Sequence, residues 1–168
     1  MENIVKFIRH SDAGMPYLWN MCFYGREREI SRGGFGLNPY DPEIAYAQMA
    51  AVKRYFNQTS TNPLIHIVVS FDGWTDNAEF SMKNAPAIAA FFKDHYQLIW
   101  MVHPADPDSS HFHMHILLHS VNLQNGKLYH SGPYERNAFG YHVKAVTGIG
   151  FRLVCEQLDT WDMTNPQY

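Results

Sequence analysis

The chain has 168 residues, of which 46% are hydrophobic and 15% aromatic, enough for one domain with a real core and unlike a disordered segment. Its formal net charge is −3, which argues against a uniformly basic surface gripping nucleic acid without selectivity. No apolar run approaches the roughly 20 residues of a membrane span, the first residues lack a leader's basic-then-apolar pattern, and Cys22 and Cys155 form no pair motif. These features predict a cytoplasmic protein with reduced thiols and no membrane segment.

In chain order, residues 3–9 read as a first strand and His10–Gly14 as a turn. Pro16 opens an aromatic helix to about Tyr24, which Gly25 ends. Residues 25–40 read as a loop, rich first in Arg and Glu and then in glycine. Asp41-Pro42-Glu43 starts a helix to about Asn57, with Ile44, Ala47, Ala51 and Tyr55 along one side. Leu64–Phe71 alternates as a strand, and a helix is expected over 85–95 with Ile88, Phe91 and Phe92 buried. Gln97–His103 is the next strand, then a Pro- and Asp-rich connection, then a strand from His111 to Val121. Asn125-Gly126 signals a hairpin into a short strand, 127–130. A last helix is expected over Pro133–Gln157, and 158–168 carries no strong pattern. The whole, 1–168, reads as a single α+β domain. The short link between strands 97–103 and 111–121 predicts that they are antiparallel neighbours.

The chemistry concentrates in the strand after His111. Phe112, Met114, Ile116 and Leu118 fall on one face; His111, His113, His115 and His119 fall on the other. Alternate strand residues lie about 6.5 Å apart, close enough for their imidazoles to converge on one metal ion. The plainer reading is a solvent face that happens to be His-rich, but repeated alternation favours the metal. His103 ends the preceding strand and lies near this cluster. Asp106 and Asp108 follow it, and either could orient a ligand histidine, ligate directly, or only make turns. With such a metal the nucleophile would be water or a protein group, and Tyr17 and Tyr24 on the first helix are the protein candidates.

The sequence His103-Pro-Ala-Asp106, then His113-Met-His115-Ile-Leu-Leu-His119-Ser-Val-Asn122 and Gly126-Lys127, resembles the mobilisation relaxases of plasmids and conjugative elements, members of the HUH endonucleases. Gly36-Leu37-Asn38 before a helix with Met49 and Lys53, and His66-Ile-Val-Val-Ser70-Phe71, stand in the family order. The resemblance covers roughly residues 3–157. It implies a mainly antiparallel central sheet with helices packed on it. It also implies that His103, His113 and His115 hold Mg²⁺ or Mn²⁺ (Zn²⁺ being possible), with Asp106 or Asp108 behind them. Tyr24 becomes the nucleophile, with Tyr17 in reserve. The activity implied is strand-specific nicking and joining through a 5′-phosphotyrosyl intermediate, on single-stranded or hairpin DNA at a transfer origin, alongside accessory relaxosome proteins. Arg26, Arg28, Arg32, Lys53 and Lys144 are the candidate DNA contacts.

The chain departs from the family pattern in four places. The Tyr-Ile-x-Asn-Pro-Glu-Lys stretch is missing. The long His103-to-His113 spacing makes His111 a rival third ligand. His119 replaces the first Asn of the pattern, which suggests a residue behind the ligands or facing DNA. The sequence also stops where many relaxases continue. Three alternatives follow: a replication initiator or single-tyrosine transposase using Tyr134 or Tyr141, a zinc hydrolase using water, and a DNA-binding module that does not cut.

Overall fold

In a computed structural model, which describes residues 1–10 and 14–158, six strands form one sheet. They are β1 (Glu2–His10), β2 (Ser31–Phe35), β3 (Leu64–Ser70), β4 (Leu98–His103), β5 (His113–His119) and β6 (Gly150–Leu158). Their spatial order is β2-β4-β5-β3-β1-β6. Every pairing is antiparallel except β1 with β6. Four α-helices complete the α+β architecture: α1 (Gly14–Phe23), α2 (Pro42–Tyr55), α3 (Ala78–Ala89) and α4 (Pro133–Thr147). Among the described residues no helix is long and apolar enough to cross a membrane.

The period-two pattern of the strands sorts side chains onto two faces. On one, Val5, Phe7, Ile67, Val69, Val102, Met114, Ile116 and Leu118 pack with Ala85 and Ile88 of α3 and Phe139 and Val143 of α4. On the other, Leu64, Ile99, Met101 and Leu117 pack under Tyr17, Leu18 and Met21 of α1 and Ala45 and Met49 of α2. β5 lies third in the six-strand order and is buried along its whole length. The reading of its histidine face as solvated therefore does not hold. Over β1 and β6 the same face is more open: Ile4, Lys6 and Val154 are half-buried and Arg152 is exposed.

Several elements differ from expectation. The 25–40 stretch contains β2, paired to β4 with Gly33 opposite Trp100. A Cβ at Gly33 would sit 2.5 Å from the Trp100 ring, so the glycine makes room for the indole. In α2 the expected apolar side faces outward, with Ile44 44% and Tyr55 80% exposed, while Ala45, Met49 and Ala50 are buried. α3 starts at Ala78, seven residues before the expected start, because Asn77 caps it by accepting the Phe80 amide at 2.8 Å. The helix continues through Pro86 and ends in a 3₁₀ turn, Ala90–Phe92. The final helix stops at Thr147, where Gly148 takes the left-handed conformation (φ 71°). The segment expected to prolong it is β6, nine residues parallel to β1. The short strand over 127–130 reduces to one bridge, Val121 with Leu128. The His-rich strand begins at His113 rather than His111. The patternless stretch 159–168 and part of the 10–14 turn lie outside the described residues.

Candidate active site

The register of β4 against β5 sets His103 directly opposite His113. His115 follows on the same face, and one nitrogen of each imidazole lies within 4.8 Å of one of each of the others. All three rings are buried. His111 takes no part: it precedes the strand, and its Nδ1 lies 2.7 Å from Asp76 Oδ2. Asp76 also accepts the Phe112 amide at 2.7 Å, which fixes the entry into β5.

The hydrogen bonds of the trio leave at least one ring nitrogen of each imidazole without a protein partner. His113 Nδ1 is 2.9 Å from the His111 carbonyl, which can only accept, so Nδ1 carries the proton and Nε2 is free. His115 Nδ1 meets His66 Nε2 of β3 at 2.7 Å, sharing one proton across the pair. His115 Nε2 and both nitrogens of His103 are buried with no hydrogen-bond partner among the described residues. Unpaired buried nitrogens are costly unless something ligates them. Burial pushes the His103 pKa down to about 4, with the neighbouring His113 and Arg28 charges adding to it. Burial, then His66 and His103, hold His115 well below the usual histidine range. Both are neutral imidazoles at pH 7, the form that binds a metal. The set fits a divalent cation.

Tyr24 is brought over this trio. It follows the last turn of α1, its amide bonded to the Met21 carbonyl at 3.1 Å. Its ring packs on His115, His66 and His103 at centroid distances of 5.3, 5.7 and 6.2 Å. The hydroxyl is enclosed, and the side chain beside it is the Arg28 guanidinium. Burial raises its pKa to about 12, against the pull of the Arg28 guanidinium. Gly25 makes the close approach possible. Its φ is +66°, and a Cβ there would lie 2.6 Å from His103 Cε1. Tyr17 is fully buried in the core between α1 and the sheet. Tyr134 and Tyr141 project from α4, which packs on the opposite face, so the sheet separates them from the histidines.

The charged candidates divide. Arg28 Nη1 lies 3.4 Å from Asp106 Oδ2, beside the trio. Asp106 Oδ1 accepts the amides of Asp108 and Ser109 at 2.9 and 2.8 Å and closes the turn after β4. Burial would raise the Asp106 pKa, but those amides and the His113 and Arg28 charges outweigh it and hold it low. Asp108 is exposed. Arg26 reaches the Tyr40 carbonyl at 3.2 Å on the surface. Arg32 is turned inward, its side chain 5% exposed and ion-paired with Glu29. Lys53 donates to the Ser60 carbonyl at 2.8 Å, and its charge acts on His119 at the opposite end of β5 from His113. Lys144 lies on α4, across the sheet. His119 is fully buried, so it does not face DNA, and burial, then Lys53, push its pKa down to about 4. Both cysteines are free, as expected, and burial pushes the Cys22 thiol up to about 12.

His66 is the member of the site that sequence reasoning did not assign. The available signal was a lone histidine in the Ile/Val-rich run of β3, on the same side as Ser70. A model of the family described as "Relaxase: MobA/VirD2-like, nuclease domain" matches residues 17–144. No curated protein and no solved structure matches the chain.

Proposed function

The chain belongs to the MobA/VirD2-like relaxase nuclease-domain family, for which DNA nicking is the activity, and from that premise we propose that Tyr24 is its nucleophile. The observation that carries the reading is the packing of the Tyr24 ring, edge-on or tilted, against His115, His66 and His103, with its hydroxyl enclosed beside the Arg28 guanidinium. In this reading the enzyme nicks and rejoins one strand at a transfer origin, in conjugative mobilisation of the element that encodes it. Accessory relaxosome proteins assemble at the same origin.

His103, His113 and His115 would hold the divalent cation, and neutral imidazoles suit Zn²⁺ by softness while the family likeness favours Mg²⁺ or Mn²⁺. When bound, the cation offsets the charge that develops on the scissile phosphate during attack. The chain does the rest. Tyr24 loses its phenolic proton and attacks in line. A bond from its oxygen to phosphorus forms, the bond from phosphorus to the 3′ oxygen breaks, and a proton is taken up by that oxygen. The product keeps a phosphodiester linkage, so the reverse step rejoins the strand without another energy source. Arg28 stands where it favours the phenolate, opposing the burial that disfavours it. Asp106 holds Arg28 in that place. Arg26 and Arg28 contact the DNA backbone. Arg32 and Lys53 act on DNA only through the loop and helix they hold together. A phosphate reaches the trio only from a single strand, because the site lies between β4, β5 and the chain passing over them at Gly25.

The test is denaturing electrophoresis of the protein with Mn²⁺ and a 3′-labelled, random-sequence single-stranded DNA library. A labelled band at protein size is expected, lost with Tyr24→Phe and with chelator. An adduct that survives Tyr24→Phe assigns the nucleophile elsewhere. Cleavage without an adduct makes water the nucleophile, and binding without cleavage makes the chain a recognition module.

A further inference from the structure

The sheet ends in two edge strands that are not alike. β2 is five residues long and contains Gly33 and Gly34, a short edge that offers little to a pairing strand. β6 is nine residues long, contains no proline, and keeps an unbroken register on β1. Among the described residues no strand pairs with its outer side, so alternate amides and carbonyls there lack a partner strand. A groove of about 460 Å³ lies between α4 and this strand, lined in part by Tyr141, Phe151 and Leu153. Tyr141 is exposed, and its ring packs edge-on against Phe151 with centroids 5.2 Å apart. Arg152, Val154 and Glu156 alternate onto the other face, beside Ile4, Lys6 and Ile8 of β1. Arg152 is exposed and forms no ion pair or hydrogen bond among the described residues. Glu156 meets Lys6 at 2.5 Å, and 39% of its side chain is still open to a second cation.

We propose that the outer edge of β6 pairs antiparallel with the same edge of a second copy, about a twofold axis through Val154. A twofold perpendicular to the sheet keeps each face of the strand on its own side, so opposed residues always share a face. Within that constraint the charges choose the register. Centring on Arg152 or on Glu156 opposes like charges. Centring on Leu153 or on Cys155 gives neither charge an opposite partner. Centring on Val154 sets Arg152 against the partner's Glu156 and Glu156 against the partner's Arg152. The strand is thus complementary to itself at one register, and a second copy carries the required charge order by construction, which an unrelated strand does not. The same register places Leu153 against the partner's Cys155 on the α4 face, extending the apolar floor of the groove past the edge. The pairing joins two six-stranded sheets into one, with both histidine trios on the same side. The two β5 strands then lie seven strand spacings apart, about 34 Å across the sheet. None of this depends on which group is the nucleophile.

The experiment is sedimentation equilibrium of the whole chain across a dilution series, without DNA. A reversible dimer is expected. Arg152→Glu and Glu156→Arg each turn two attractions into repulsions and should weaken the dimer about tenfold, while both changes together should restore it to within about threefold of wild type. Cysteine crosslinking reads the register. In a Cys155→Ser background, mild oxidation should join two copies of Val154→Cys, whose Cα atoms would lie about 4.5–5.5 Å apart, and should leave Arg152→Cys unjoined. Val154→Cys keeps a small apolar side chain, so it decides the matter even where a charge reversal unfolds the chain. Three results overturn the proposal: a wild type that stays monomeric throughout the series, a dimer indifferent to both single charge reversals, or crosslinking of Arg152→Cys as readily as of Val154→Cys.

Discussion

His66 and Gly25 show how two side-chain choices position a third residue's chemistry. His66 has no place in the trio, yet its Nε2 at 2.7 Å from His115 Nδ1 determines which His115 nitrogen points inward. His66→Ala is expected to weaken Mn²⁺ binding about 10- to 100-fold by isothermal titration calorimetry, the scale seen when such orienting partners are removed, with the fold intact by circular dichroism. An affinity equal to wild type would remove His66 from the site. Gly25 holds φ +66° against the His103 ring. Gly25→Ala forces a Cβ into that ring and a left-handed backbone on alanine, costing about 1–2 kcal/mol by urea unfolding and lowering metal affinity as well. If metal affinity survives while stability falls, the close approach serves packing and not the site.

The elements divide by what a local pattern can carry. β5 was legible because its alternation is broken only by Leu117, and β3 and β4 because β-branched and aromatic residues fill them. His113 and His115 followed from that alternation. His103 was expected near them from the short link to the next strand and from the family likeness. His66 was hidden, because its partner is set by the register of β3 on β5, which no local pattern shows. β2 was hidden by Gly33 and Gly34, which have no β preference and form a strand only beside the Trp100 indole. β6 followed a helix whose end, Gly148, looked like one more tolerated glycine, and its partner β1 lies about 150 positions earlier. α3 was misplaced because Asn77 was not recognised as a cap. Asn77→Ala should cost about 1 kcal/mol and lower the melting temperature by a few degrees. Its neighbour Asp76 pins His111 and the Phe112 amide, so hydrogen exchange at the start of β5 should quicken as well. A melting temperature equal to wild type would show that the cap contributes nothing to α3.

At the scale of the molecule, the buried histidines couple stability to pH. His119 is fully buried, with its pKa near 4 in the folded chain against an ordinary value of 6.5. The unfolded chain therefore takes the proton first as pH falls. The stability this group contributes is whole above pH 6.5 and is lost progressively down to pH 4, by at most about 3 kcal/mol. His103 and His115, both lowered by burial, act in the same direction in the metal-free chain. His119→Asn should shrink the drop in unfolding free energy between pH 7.5 and 4.5 by roughly 2–3 kcal/mol; an identical drop in both proteins would show that His119 is not the group responsible. The parallel pairing of β1 with β6 has another consequence, one of order in time. During synthesis β1 can dock on β3 as soon as residue 70 has emerged, but its other edge stays bare over nine residues until β6 follows. A nascent chain that has not yet released Gly150–Leu158 thus presents an open strand edge to its neighbours, and it is prone to aggregate for as long as β6 is missing, although nearly all of its core is already built.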